Sequence, residues 1–133
     1  MFPTDGMEMK FAKQSRIKNP ELVREYRQTY CQYCGVMGVK LGNHHIFSRG
    51  SGGPDAKWNL ITLCELKFGG QPCHDRAQQY KIPRIELLLI KARQLKAEQE
   101  EIDAMLEYCF RKLSEADYNR LERAIRGDNH EQV

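Results

Sequence analysis

Two adjacent histidines, His44 and His45, stand in the stretch GNHHIFSRGSGG (residues 42–53), directly before a loop rich in glycine and serine. A neutral imidazole can bind a divalent metal, and it can also take a proton from water near neutral pH. The pair is therefore a candidate metal ligand, a candidate base, or two surface residues at a strand end. The choice among these depends on which other residues the fold brings to the pair.

Four of the five cysteines form two pairs, Cys31-x-x-Cys34 and Cys64 with Cys73. Clustered cysteines in a chain that keeps its thiols reduced indicate a metal rather than disulfides. A structural zinc takes four such ligands in a tetrahedron. Eight residues, ELKFGGQP, separate the second pair, and their glycines and proline favour a looped-out segment. We expect one zinc on these four cysteines, with His74 as the alternative to Cys73.

Short segments with β propensity flank the glycine-rich loop. NHHIF (43–47) and WNLITLC (58–64) predict an antiparallel hairpin with a long loop, in which Trp58 is expected to be a packing anchor. CHDRAQQYK (73–81) predicts a short helix. Upstream, KNPELVREYRQTY (18–30) predicts a helix that has Asn19 as its N-cap and a proline as its first residue.

The chain from Pro83 to Leu113 has no internal glycine or proline and repeats apolar residues three and four positions apart. This pattern predicts one long amphipathic helix, or two with a kink, and places Cys109 on the apolar stripe. Ser114 is a candidate N-cap for a further helix that ends at Gly127. The stripe has to be buried against another helix of the chain or against a second copy, so a homodimer through these C-terminal helices is one prediction.

Positive charge is concentrated in the half of the chain that contains the histidine pair. Residues 10–50 carry eight lysines and arginines against two acids, whereas residues 82–133 carry nine basic and eleven acidic residues. A positive surface near a candidate site favours a polyanionic partner such as nucleic acid. No run of about eighteen apolar residues and no apolar signal segment occur, so we expect a cytoplasmic protein without a membrane partner.

Three segments in fixed order, CQYCG, NHHIFSRGSGGPDAKWNLITLC and CHDRAQ, resemble the HNH endonuclease family of phages and their hosts. They cover roughly residues 31–80. The resemblance implies a ββα-metal fold, in which a hairpin packs on a helix with one divalent cation between them. His44 and His74 would bind this cation (Mg²⁺, Mn²⁺, Ni²⁺ or Zn²⁺), His45 would be the general base, and Asn59 would hold the loop and orient the base.

The activity implied by this resemblance is metal-dependent hydrolysis of DNA phosphodiester bonds, in which the cation stabilises the leaving 3′ oxygen. Arg49 and Arg76 are candidate phosphate contacts, although either is as readily an exposed, solubilising arginine. One alternative is a non-catalytic, zinc-stabilised module that binds nucleic acid, and another is an interaction protein that works through its long helices. A binding module would not need His45, Asn59 and His74 together.

The predicted fold class is therefore α+β and mostly α, with a small ββα-metal core and a structural zinc, flanked by an N-terminal helix and long C-terminal helices. The predicted organisation has four parts: a loose segment (1–15), the zinc-containing nuclease core (16–82), a helical extension (83–127) and a frayed tail (128–133).

Overall fold

The fold is an α+β arrangement, as the sequence predicts. The structure is a computed structural model that describes residues 16–66 and 69–127. About half of these residues are helical, and the described part also contains one antiparallel pair of strands. The loose N-terminal segment and the frayed tail expected from the sequence lie outside the described residues. Within the described part, none of the helices has the length and apolarity needed to cross a bilayer.

The two strands, β1 (Leu41–His45) and β2 (Leu60–Cys64), form the predicted hairpin. They pair antiparallel, with His44 opposite Ile61 and His45 opposite Leu60. β2 is buried along its whole length, whereas β1 is half-buried because one side of it faces a cleft. The connecting loop, residues 46–59, contains two short 3₁₀ turns.

The N-terminal helix, α1 (Pro20–Glu25), begins as predicted, since the Asn19 side chain accepts a hydrogen bond from the Leu22 amide at 3.1 Å. It ends at Glu25 rather than at Tyr30, where the sequence pattern placed its end. The backbone of Tyr26 is already extended, because the following residues turn to bond with the hairpin. Tertiary contacts therefore shorten a helix that local propensity would continue.

The remaining helices are α2 (Cys73–Gln78), α3 (Arg84–Gln94), α4 (Gln99–Lys112) and α5 (Glu115–Glu122), the last continuing as a π-helical turn over Arg123–Gly127. The long C-terminal pattern is thus two helices with a break at residues 95–98, and the Ser114 cap is confirmed. No glycine or proline marks the break. Leu95 enters the core there, and Glu98 pairs with Lys57 of the hairpin loop at 2.8 Å.

The helices bury their apolar faces against the hairpin within a single chain. Trp58 is 1% exposed, with its ring centre 5.4 Å from that of Tyr108 on α4 and 6.1 Å from that of Phe47, which confirms it as a packing anchor. Cys109 is fully buried, and burial raises its pKa to about 12, as expected of a core residue. A second copy is not needed to cover these helices, so the homodimer stays a prediction.

A buried polar chain connects α3 to the segment before the hairpin. The Lys91 side chain is fully buried, and its ammonium group donates to the Tyr26 hydroxyl. The Lys91 Nζ atom lies 4.6 Å from the centre of the Tyr26 ring. That hydroxyl donates to the Gln32 side chain at 3.0 Å. Burial lowers the pKa of Lys91 to about 7, and the hydrogen bond and the ring offset part of the cost of burying its charge. These contacts fix the orientation of the cysteine-containing turn that follows.

Candidate metal centres and the histidine cleft

Four cysteines from three separate segments converge at one point. The sulfur atoms of Cys31, Cys34, Cys64 and Cys73 all lie within 4.8 Å of one another. The first two come from the turn before β1, the third is the last residue of β2, and the fourth is the first residue of α2. The predicted cluster is therefore confirmed with Cys73 as its fourth member, and the alternative with His74 in that place is wrong.

The two ends of the eight-residue insert between Cys64 and Cys73 lie close together, as the predicted looped-out segment requires, and residues 67 and 68 of the insert lie outside the described residues. Its ends meet closely enough for the Cys73 amide to donate to the Cys64 sulfur at 3.3 Å. Gly69 and Gly70 both have positive φ, 73° and 149°, a backbone conformation that residues with a side chain rarely adopt. The two glycines thus allow a long insert to return to the point from which it leaves.

The donor set of the cluster fits zinc. Thiolates about 2.3 Å from a tetrahedral zinc lie roughly 3.8 Å from one another, within the observed separations. Burial raises the pKa of Cys31, but backbone N–H groups of Cys34 and Tyr33 outweigh this and bring it to about 7. Burial raises the pKa of Cys64 and Cys73. A cation that binds there has to displace these protons, and because the four sulfur atoms meet only in the folded chain, its binding would stabilise this part of the fold.

The cluster determines where the histidines lie. Cys73 ties the first turn of α2 to the end of β2, so the next residue, His74, is held beside β1. The ring centres of His44 and His74 are 5.4 Å apart and their planes are nearly perpendicular, at 85°. Two imidazoles that bind one metal at about 2.1 Å have ring centres roughly 5 Å apart, so the observed spacing of the ring centres is compatible with a shared ion.

His44 is in the protonation state that a metal ligand requires. Burial lowers its pKa to about 4, and electrostatic interactions with the neighbouring His74, His45 and Arg84 side chains act in the same direction. The ring is therefore neutral at physiological pH and keeps a lone pair for coordination.

Successive residues of a strand point to opposite faces, which leaves open how both histidines could serve one site. His45 is the last residue of β1, where the chain leaves the sheet to enter the loop. Both histidines line the same cleft of about 610 Å³, together with His74, Arg49 and Arg84. Because β1 ends at His45, the alternation of a regular strand does not prevent both histidines from lining one cleft.

Asp55, which sequence reasoning missed, holds the candidate base. Its Oδ1 atom lies 2.9 Å from His45 Nε2 and 2.9 Å from the Arg16 guanidinium, and its Oδ2 atom accepts from the Asn19 amide at 2.8 Å. Burial raises the pKa of the carboxyl, but the hydrogen bonds from Asn19, His45 and Arg16 outweigh burial and hold that pKa well below its usual range. An ionised carboxylate at Nε2 favours the tautomer with its proton there, which leaves Nδ1 of His45 as the proton acceptor.

Asn59 holds the loop, but it does not contact the base. Its buried side chain accepts from the Phe47 amide at 2.8 Å and donates to the carbonyls of Phe47 and Pro54 at 3.0 and 2.9 Å. The two ends of the loop are thereby closed onto each other. Among the described residues, His45 bonds to Asp55 instead of to Asn59, and the Asp55 carboxylate accepts that hydrogen bond from Nε2.

The two arginines predicted as phosphate contacts, Arg49 and Arg76, lie in different places relative to the cleft. Arg49 is exposed at the rim of the histidine cleft, whereas the Arg76 guanidinium lies over the Tyr33 ring at 5.8 Å and does not line the cleft. Arg84, which the sequence analysis did not select, lines it instead. This residue belongs to the first turn of α3, and the sequence holds no local signal that α3 would return to the hairpin.

Arg84 is held in place by a backbone carbonyl and an aromatic ring. Its Nε donates to the Ile46 carbonyl at 3.2 Å, and its guanidinium lies 4.5 Å from the centre of the Phe47 ring. Across residues 16–66 and 69–127, no carboxylate pairs with it. The cleft therefore contains a fixed positive charge that an anionic ligand would neutralise.

Comparison with protein families, with curated proteins and with solved structures finds no match to this chain. The resemblance to the HNH endonucleases therefore depends on the ordered motifs and on the way their residues converge. The function is inferred below from the chemistry of the cleft itself.

If the four-cysteine cluster holds zinc, the purified protein is expected to contain about one zinc per chain, and Cys73→Ser is expected to lose most of it and to melt at a lower temperature. Metal content is measured by mass spectrometry after dialysis. The matched control is Cys109→Ala, which removes a buried thiol outside the cluster and should keep its zinc. Undiminished zinc in Cys73→Ser would exclude this cysteine as a ligand.

Proposed function

We propose that this protein is a metal-dependent endonuclease that hydrolyses DNA phosphodiester bonds. The observation that carries the proposal is the convergence of two histidine pairings on one cleft: His44 beside His74, and His45 on Asp55. The first pairing suits a divalent metal, and the second suits a general base with a fixed tautomer. On this proposal, the hairpin and α2 would be the ββα-metal arrangement that the resemblance of the sequence motifs implies.

His44 and His74 would hold the divalent cation. When bound, it would supply positive charge to the scissile phosphate and to the leaving 3′ oxygen. Imidazole ligands suit Mn²⁺, Ni²⁺ or Zn²⁺ better than Mg²⁺, which prefers oxygen. Because both ligands are neutral, they leave the charge of the cation available to the phosphate.

His45 would remove the proton from the attacking water. The proton passes to Nδ1, and the imidazolium that forms is stabilised by the carboxylate of Asp55, 2.9 Å from Nε2. The carboxylate side chain is only 3% exposed, so solvent screens this interaction weakly. Hydrolysis by this route breaks the bond to the 3′ oxygen and leaves a 5′-phosphate and a 3′-hydroxyl.

Arg84 and Arg49 would bind the DNA backbone. The guanidinium of Arg84 is already oriented by the Ile46 carbonyl and the Phe47 ring, so little side-chain entropy is lost when a phosphate binds. Arg49 is exposed at the opening, in the loop that Asn59 closes. The two arginines would supply the positive charge that attracts the DNA backbone to the cleft.

The proposal is tested by incubating supercoiled plasmid with the protein and Mg²⁺, Mn²⁺ or Ni²⁺. We expect wild type to nick or linearise the plasmid, and His45→Ala to cut about 10²- to 10⁴-fold more slowly, the range typical of a lost general base. Cleavage is followed on agarose gels, with zinc content and melting temperature checked for both proteins.

Equal cutting by both proteins would exclude His45 as the base. A wild type that binds DNA but cuts it with none of the three metals would favour the alternative, a zinc-stabilised module that only binds nucleic acid. The Asp55–His45 pairing argues against that alternative, because binding alone does not require a histidine with a fixed tautomer.

Arg84 and Arg76 form a matched pair for testing the phosphate contact, since both are arginines but only Arg84 lines the cleft. We expect Arg84→Ala to lower kcat/KM for plasmid cleavage by about 10- to 100-fold, the scale of one lost hydrogen bond to a charged group. Arg76→Ala should stay within about twofold of wild type. Equal effects of the two substitutions on initial rates would contradict this assignment.

A further inference from the structure

Tyr80 combines three properties that are rarely found together in one residue. Its ring lines the histidine cleft, its side chain is 70% exposed, and its backbone has a φ of +59°. Among the described residues, it is the one residue other than glycine with a positive φ.

The positive φ follows from the way α2 ends. The Tyr80 amide donates to the Ala77 carbonyl at 3.1 Å, and the Lys81 amide donates to the Arg76 carbonyl at 2.8 Å. This pair of bonds forms a Schellman motif, in which the residue at the Tyr80 position adopts the left-handed conformation and is usually glycine. A tyrosine in the left-handed conformation lowers the stability of the fold. Because Tyr80 stays mostly exposed, burial of its ring offsets little of that loss. Such an outlier beside a cleft is a reason to look for a ligand.

The surroundings of the ring indicate which ligand. The Arg84 guanidinium lies 5.8 Å from the centre of the Tyr80 ring, and both side chains line the cleft that contains the three histidines. A cation that can bind a phosphate therefore stands next to an exposed aromatic face. Sites for single-stranded nucleic acid combine these two elements, with the backbone on positive groups and the bases stacked on rings.

We propose that Tyr80 is a stacking platform for an unpaired nucleobase, so that the preferred substrate of the cleft is DNA with single-stranded nucleotides at the cleavage site. The inference rests on the nuclease function proposed above. A base within a duplex is already stacked on both faces and can reach the ring only if it is flipped out, at a cost in free energy. An unpaired base has a free face and avoids that cost.

The test compares binding of one fluorescein-labelled oligonucleotide as a single strand and as a duplex. Anisotropy is measured with zinc-loaded protein and without added catalytic metal. We expect wild type to prefer the single strand, and Tyr80→Gly to lose about 5- to 150-fold of single-strand affinity with duplex affinity nearly unchanged. Tyr80→Gly should melt at or above the wild-type temperature, because glycine adopts the left-handed conformation without strain.

Two controls separate stacking from other effects of the substitution. Tyr80→Phe keeps the ring and should keep the preference for the single strand. Phe110→Ala removes a ring that is 69% exposed but belongs to another groove, next to Tyr118, and should change neither affinity.

Unchanged single-strand binding by Tyr80→Gly would overturn the inference while leaving the nuclease proposal intact. An equal loss for single strand and duplex would also overturn it, since Tyr80 would then only position Arg84. If wild type neither binds either oligonucleotide nor cuts plasmid, the proposed nuclease function fails, and the stacking role fails with it.

Discussion

The meeting of four cysteines at one point is the constraint on which the rest of the structure depends. The cluster ties the turn before β1, the end of β2 and the start of α2 to one another. A two-stranded hairpin and a six-residue helix are each too small to be stable alone. Tied together, they hold His74 beside His44, and the cleft forms where these two elements meet.

The long C-terminal helices contribute to the cleft in two ways. The aromatic contact of Trp58 with Tyr108 holds one side of the hairpin loop against α4. The hydrogen bonds that Glu98 accepts from Lys57 and that Glu101 accepts from the Trp58 amide act in the same way. The first turn of α3 supplies Arg84 to the cleft. The extension thus supports the loop and adds positive charge to the site.

The parts of the fold that sequence predicts well are those encoded by near neighbours. The Asn19 and Ser114 caps, the hairpin and the helix after Cys73 all depend on local patterns, and each is present. The cysteine spacing also predicts a contact between distant segments, because a shared metal restricts which residues can meet. In each of these cases, a short stretch of sequence or one chemical requirement is sufficient to predict the structure.

The parts that sequence misses depend on contacts between distant residues of ordinary type. Asp55 lies in a loop composed like many others, and its role appears only when Arg16 and His45 are both beside it. The break between α3 and α4 follows from packing and not from a helix-breaking residue. Arg84 reaches the cleft only because α3 returns to the hairpin.

The most direct test of the cleft as a metal site is a titration of the zinc-loaded protein with Mn²⁺, followed by nuclear magnetic resonance of the histidine rings. We expect the signals of His44 and His74 to broaden first, with His45 close behind, because the paramagnetic ion would bind between the first two rings. Broadening that spares both His44 and His74 at Mn²⁺ concentrations that support cleavage would contradict the proposed site.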